Sequence, residues 1–324
     1  MAVTLGNTTV VTVFGGSGFL GRYVVQALAR AGCRIKVAVR RPDLAGFLQP
    51  LGSVGQIVPI QANVRNEASI RNAVKGADAV VNLVGILQPS GRQKFEVIQA
   101  VGAGLIAAAA KNAGATALVH VSAIGADPNS RSSYARSKGE GERRVLSAFP
   151  GAVILRPSLV FGPEDQFFNR FASLARIAPV LPLIGGKSKF QPVYSGDVAQ
   201  AVAAALSGRA REGVIYELGG PGIYTFRELL QKIEDWTQHK RPLLPIPFWI
   251  AKIPAFFLQL LPGAPITLDQ IRLLQRDTVV SADAIHDART IQALGIAEPK
   301  AIEAIVPYYL QRFRPKGEFA ANAN

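Results

Sequence analysis

Tyr134 and Lys138 stand four residues apart in "SSYARSKGEGERRV". At the start of a helix this spacing puts a phenol and an ammonium on one face, one turn apart. An ammonium beside a phenol lowers its pKa, which predicts Tyr134 as a general acid or base and Lys138 as its partner and as a donor to a nicotinamide ribose. Ser122 ends the β-prone run "ALVHVS" just upstream and is placed to orient a carbonyl. A second chemistry lies near the beginning, in "VVTVFGGSGFLGRYVVQALARAG" (10–32). There Gly15, Gly18 and Gly21 have the spacing of a phosphate cradle. Gly15 allows a tight turn, Gly18 lets a pyrophosphate approach the backbone, and Gly21 lets helix and strand pack closely. The loop Gly15, Gly16, Ser17, Gly18, Phe19, Leu20 and Gly21 is expected to face the phosphates.

The second β-prone run decides between coenzymes. An NAD site usually carries an acid roughly 20 residues beyond the glycines, for the ribose hydroxyls. Here "VAVRRPD" has Arg40 and Arg41 at that place. Guanidinium groups there would pair with a 2′-phosphate, which predicts NADP(H). If the strand runs further, Asp43 reaches the ribose instead and NAD is the coenzyme.

These residues need elements to hold them. Short β-branched runs recur at 10–14, 35–39, 56–60, 78–84, 117–122 and 152–157, and helix-like segments fill 18–31, 67–76, 93–112 and 133–148. Alternation of continuous apolar strands with helices predicts an α/β fold, a doubly wound parallel sheet of Rossmann type with a smaller C-terminal lobe. Ligands of such sheets bind beyond the carboxyl ends of the strands. That adds Asn63 and Val64 after the third run, Leu83, Val84 and Gly85 after the fourth, and Pro157 at the end of the sixth. The chain is expected to divide into a dinucleotide-binding domain at 1–165 and 190–208, and a small lobe at 166–189 and 209–324.

Composition narrows the classes. The chain has 324 residues, 49% hydrophobic and 18% charged, too apolar for a disordered protein. Its single cysteine, Cys33, excludes an internal disulfide and a cysteine metal cluster. The three histidines, His120, His239 and His286, lack ligand spacing, and no metal centre is expected. The net charge of +14 is concentrated in residues 1–150, which hold 17 Lys and Arg against 7 Asp and Glu. This excess suits a polyanionic coenzyme, an acidic partner or an anionic membrane surface. Nucleic acid is disfavoured, because no aromatic-interleaved basic cluster accompanies the charge.

Together "VFGGSGFLG", "NLVG", "VSAIGA", "YARSK", "LRPSLVFGPED" and "QPVYSGDVAQAV" resemble the extended and atypical short-chain dehydrogenase/reductases, the NAD-dependent epimerase/dehydratase superfamily. Within it, "LRPSLVFGPEDQFFNRFA", "KFQPVYSGDVAQAV", "YELGGPGIYTFRELL" and "PLLPIPFW" are similar to the NADPH-binding accessory subunits of respiratory complex I and their bacterial relatives. The narrower resemblance implies a coenzyme held for structure beside a quinone-reducing module, with complex I or related quinone-module proteins as partners. Sugar-nucleotide epimerases carry several consecutive hydroxyl residues after the fifth strand, whereas here Ala123 and Ile124 follow Ser122, and 11 residues separate Ser122 from Tyr134. Tyr134 and Lys138 keep the other implication open, an NADPH-dependent reductase or epimerase acting on an apolar carbonyl or quinone-like compound. The resemblance also places Arg156 near the nicotinamide and Phe161, Gly162 and Pro163 at the crossing to the small lobe, with Tyr194 and Asp197 as anchors of the returning chain.

Segment 241–265 is strongly apolar, and its prolines at 242, 245, 247, 254, 262 and 265 forbid one long helix. Trp249, Ile250, Phe256, Phe257, Leu258, Leu260 and Leu261 crowd it beside Lys252. It reads as the core or substrate pocket of the small lobe, a partner surface, or a membrane contact. The beginning lacks a basic stretch followed by an apolar one, so a cytoplasmic place is expected, or a peripheral one at the cytoplasmic face of the inner membrane.

Overall fold

A computed structural model describes residues 2–258, 267–315 and 317. The chain forms two compact units, residues 1–157 with 195–218 and 280–298, and residues 158–194 with 219–279 and 299–324. These bounds differ from those expected at 158–165 and 190–194, which cluster with the second unit, and at 209–218 and 280–298, which cluster with the first.

The first unit is built on β1 (Val10–Phe14), α1 (Phe19–Arg30), β2 (Arg34–Val39), β3 (Ile57–Gln61), α2 (Glu67–Val74), β4 (Ala79–Asn82), α3 (Gly102–Asn112), β5 (Ala117–Val121), α4 (Ser133–Ala148), β6 (Val153–Pro157), α5 (Ser195–Leu206) and β7 (Ile215–Leu218). The strands form one sheet in the order β7-β6-β5-β4-β1-β2-β3, every pair parallel. This is the doubly wound Rossmann arrangement, and the order reverses between β1 and β4. β7 is too short, and too polar at Glu217, to stand out as a strand in sequence. It forms because its backbone continues the ladder of β6, from Ile215 against Ile154 to Leu218 against Pro157.

Both faces of the sheet are dry, as continuous apolar strands require. On one face Phe14, Val80, Leu118 and Ile154 pack with Ile70 of α2, Ile106 of α3 and Val145 of α4. The alanines of α3 bring it close to this face, with Ala103, Ala107 and Ala110 buried. The remaining helices α1 and α5 pack together and bury Val24, Leu28, Val198 and Val202.

The second unit has a core of Phe161, Phe168, Phe190, Phe226, Ile233 and Val306. Its helix Phe226–Thr237 is started by a capping box, in which Thr225 and Glu228 satisfy each other's backbone N–H groups. A smaller cluster joins Ile184, Ala251, Ala255 and Ile271. Among the described residues no helix is long and apolar enough to cross a membrane.

Candidate functional site

The turn between β1 and α1 is shaped by glycines, for two different reasons. Gly15 has φ +79, the left-handed region. Its N–H donates to the Ala38 carbonyl, and a methyl group on it would stand 3.3 Å from the backbone of Leu83 and Val84. Gly21 admits no side chain, because a methyl there would lie 2.3 Å from the Gly15 oxygen. Gly16, expected with the rest of the loop to face the phosphates, is a buried packing position, since its methyl would meet Val37 at 2.7 Å. Gly18 is the N-cap of α1, extended and without a side-chain cap, and the first turn carries no acidic residue. Ser17, Phe19 and Leu20 complete the turn, each half-buried. The positive end of the α1 dipole is therefore left to an outside anion.

Arg40 follows the last residue of β2 and is exposed, with no ion pair or hydrogen bond among the described residues. Arg41 differs. Its Nε and Nη2 donate to the Asp43 carboxylate, Nη2 at 2.8 Å, and this pair holds the Asp43 carboxyl below its usual range. Both side chains are more than half exposed, so the pair is weak and easily rearranged. At the end of β3, Asn63 Oδ1 accepts from the Arg65 N–H at 3.1 Å, and Val64 packs beside Gly102.

The carboxyl ends of β4 and β5 hold a buried polar cluster. Asn82 and His120 are register partners across the two strands. Asn82 Oδ1 accepts from the Val84 N–H, so its Nδ2 is the atom that faces His120 Nδ1 at 3.0 Å. The imidazole must therefore accept at Nδ1 and carry its proton on Nε2. His120 is 1% exposed, and burial, with Lys138 nearby, pushes its pKa down to about 3. Among the described residues His120 Nε2, on β5, and Ser122 Oγ, one residue past its end, are both buried without a hydrogen-bond partner.

Lys138 is buried at the same place. Its ammonium donates to the Val121 carbonyl at 3.2 Å, and a methyl on Gly85 would come 3.4 Å from it. Burial lowers its pKa to about 8, against the attraction of Glu142. The expected activation of Tyr134 is not found. Burial pushes the phenol up to about 12, and its ring lies edge-on to Phe95, while the ammonium turns to the β5 carbonyl. Desolvation is the cause, because a half-buried phenolate loses part of its solvation energy and the Lys138 ammonium, turned to Val121, does not offset the loss.

Two further residues fix this corner. Glu142 is bidentate to Arg156, with Nε and Nη2 at 2.8 and 2.6 Å, and Arg156 also approaches Glu217. Arg156 is thus bound within the first unit. Gln99, which sequence reasoning passed over, lies in a π-helical turn, Glu96–Val101, where a single α-helix reads from the pattern. Its Nε2 donates to the Ile86 carbonyl and its Oε1 accepts from Ser137, joining the loop after β4 to α4. A methyl on Gly141 would lie 2.2 Å from the backbone carbonyl oxygen of Gln99, so Gly141 in "KGEGE" was the available signal of a close helix approach, whereas Gly139 packs on Asp127 and Pro128. Pro157 ends β6, and its carbonyl accepts from Ile124. In the second unit Phe161 packs against Tyr194, with ring centroids 5.7 Å apart, and the Gly162 N–H donates to Asp165. In the first, Asp197 is buried in the first turn of α5. Among the described residues no three His, Cys, Asp or Glu side chains gather as a metal site would require.

Residues 11–219 match the NAD dependent epimerase/dehydratase family. The chain is 38% identical to an Arabidopsis thaliana protein, NADH dehydrogenase [ubiquinone] 1 alpha subcomplex subunit 9, mitochondrial, over 85% of this chain and 72% of that one. It is 35% identical to the mitochondrial NADH-ubiquinone oxidoreductase 40 kDa subunit of Neurospora crassa, over 96% and 81%. In fold it is similar to an NADPH-dependent quinone oxidoreductase from Escherichia coli solved with NADPH, at a TM-score of 0.70 and 21% identity, covering 91% of this chain and 97% of that one.

Proposed function

The chain belongs to the NAD-dependent epimerase/dehydratase family, and from that premise we propose that it holds NADP(H) as an accessory or assembly subunit of a quinone-linked respiratory complex of the complex I type. The α1 N-terminus, without a side-chain cap or an acid in its first turn, and the loop Gly15–Gly21, whose packing leaves no room for side chains at Gly16 and Gly21, fit a pyrophosphate. Arg40, exposed and unpaired, is available to a 2′-phosphate, with Arg41 beside it. Asn63 and Val64 would border the adenosine side. Leu83, Val84, Gly85, Pro157 and Lys138 would border the nicotinamide side, Lys138 donating to its ribose. A nicotinamide coenzyme supplies a hydride donor or acceptor.

One finding carries the holding role and its partner: the similarity to respiratory-chain subunits over most of the chain. The half-buried phenol of Tyr134, raised to about 12, stays protonated near neutral pH and is a poor base, which leaves it only the part of a proton donor.

A second reading rests on Ser122, whose buried Oγ has no partner among the described residues and follows Val121, the residue whose carbonyl Lys138 of α4 bonds. In that reading Ser122 orients the carbonyl of an apolar or quinone-like substrate, Tyr134 donates the proton, and the chain is a reductase. Mass spectrometry of denatured, freshly purified protein tests the first reading, combined with exchange against isotope-labelled NADPH. Co-purified NADP(H) that resists exchange, together with cofractionation with a respiratory complex, is the expected result. Rapid exchange and an unbound protein would refute holding in favour of the reductase.

A further inference from the structure

The helix Phe248–Leu258 packs inside out. Its small residues Ala251 and Ala255 are buried against Ile271 and Phe248 is partly buried beside them, while Trp249, Ile250, Ile253 and Phe256 are exposed. Trp249 is 68% exposed, Ile253 57% and Phe256 54%, with Ile250 and Leu244 exposed beside them. A single exposed apolar side chain needs no explanation, but five within 13 residues form a patch that water alone does not favour. The side chains of Phe257 and Leu258, and residues Leu260 and Leu261, lie outside the described residues.

Charge identifies the occupant. Between His239 and Leu258 the chain has three cations, Lys240, Arg241 and Lys252, and no carboxylate. Lys240 is engaged by Asp235 and Arg241 by the Ala175 carbonyl, whereas Lys252 is exposed and has no partner among the described residues. A cleft of about 450 Å³ is lined by Lys252, Ile253, Phe256, Leu268 and Arg272, an apolar wall with two cations. Asp269 is the one carboxylate on the helix Leu268–Leu273, and it is not among these lining residues. An indole and an ammonium set among aliphatic side chains match the boundary between lipid headgroups and acyl chains.

We propose that this face docks on a bilayer surface rich in anionic phospholipid, with Trp249, Ile250, Ile253 and Phe256 entering the interface and Lys252 pairing with a lipid phosphate. The helix has 11 residues and lies in the interface without spanning it. This inference is independent of the coenzyme reading.

The full chain is sedimented with vesicles of phosphatidylcholine alone, and with vesicles of phosphatidylcholine mixed with phosphatidylglycerol, at low and high salt. Expected are binding to the mixed vesicles only, loss at high salt, and a blue shift of tryptophan emission that is absent in Trp249→Phe. Lys252→Gln weakens partition about fivefold, and Ile253→Glu abolishes it. NADPH binding measured on the same variants stays unchanged, which separates failure here from failure of the coenzyme reading. The proposal is overturned by absence of binding to both vesicles, by equal binding to neutral ones, or by vesicle binding that Ile253→Glu leaves intact. It is equally overturned if the chain dimerises in the ultracentrifuge and Ile253→Glu releases monomers, since a second copy then covers the face.

Discussion

His120 makes the folded chain sensitive to mild acid by an amount that follows from its burial. As pH falls through 6.5, the ordinary value for histidine, the unfolded chain takes up a proton at this residue, while the folded chain does so only near 3. The unfolded state binds more protons throughout that window, so stability is lost as pH falls from 6.5 toward 3. Between pH 7 and pH 5 the loss from this group alone is about 2 kcal/mol, a large fraction of the net stability of an ordinary domain. Carboxylates held low in the folded state, such as Glu140 at about 2, add their own loss only below this range. His239 and His286 stand equally in parent and variant. In His120→Gln the titrating group is gone, and about 1 kcal/mol is lost at every pH with the Asn82 hydrogen bond. The profile between pH 5 and 7 should then be flatter than the parent's by about 2 kcal/mol. Urea unfolding followed by circular dichroism measures it. Fluorescence would not serve, because Trp236 and Trp249 both lie in the second unit. Parallel profiles for parent and variant would sink the reasoning, as would an imidazole nitrogen resonance showing His120 titrating near 6.5 or protonated on Nδ1.

Three other outcomes follow from the site. Gly21→Ala drives a methyl into the Gly15 carbonyl, which should cost about 1–3 kcal/mol in melting experiments and abolish NADPH binding in calorimetry. Arg40→Ala should weaken NADPH binding about 10- to 100-fold and leave NADH unchanged, with a smaller effect for Arg41→Ala, whose guanidinium Asp43 already holds. Equal losses for both coenzymes would show that Arg40 does not read the extra phosphate. The lowered pKa of Lys138 means that the unfolded chain keeps a proton between about 8 and 10.5 that the folded chain has released. Stability should accordingly rise with pH through that window in the parent and stay flatter in Lys138→Met, as followed by chemical denaturation.

Much of the first unit is legible in sequence because its signals are local. The β-branched runs, the intervening helices and the glycine spacing are periodic over a few residues, and each matches an element to within one or two positions at most ends. Gly15 in its left-handed turn and Gly21 against the backbone need only the strand-turn-helix unit that contains them. Three things needed the whole chain. β7 forms from a sequence of weak strand character because β6 offers it an edge. The π-helical turn at Gln99 lies against Gly141, about 40 residues away, a contact no local pattern shows. The small alanine face of Phe248–Leu258 turns inward although the larger side chains beside it are far more apolar.

The chemistry divides along the same line. By itself the sequence determined which groups are present and at what spacing: the glycines of the cradle, the arginines after β2, and Tyr134 one helical turn from Lys138. Only the tertiary structure decided their charge states. The phenol is raised, the ammonium is drawn to Val121, and the imidazole is neutral with its proton on Nε2, because solvation depends on everything packed around a group. Asn82 and His120 are 38 residues apart, yet adjacent strands make them partners. Burial is a property of the folded chain as a whole, and no local spacing encodes it.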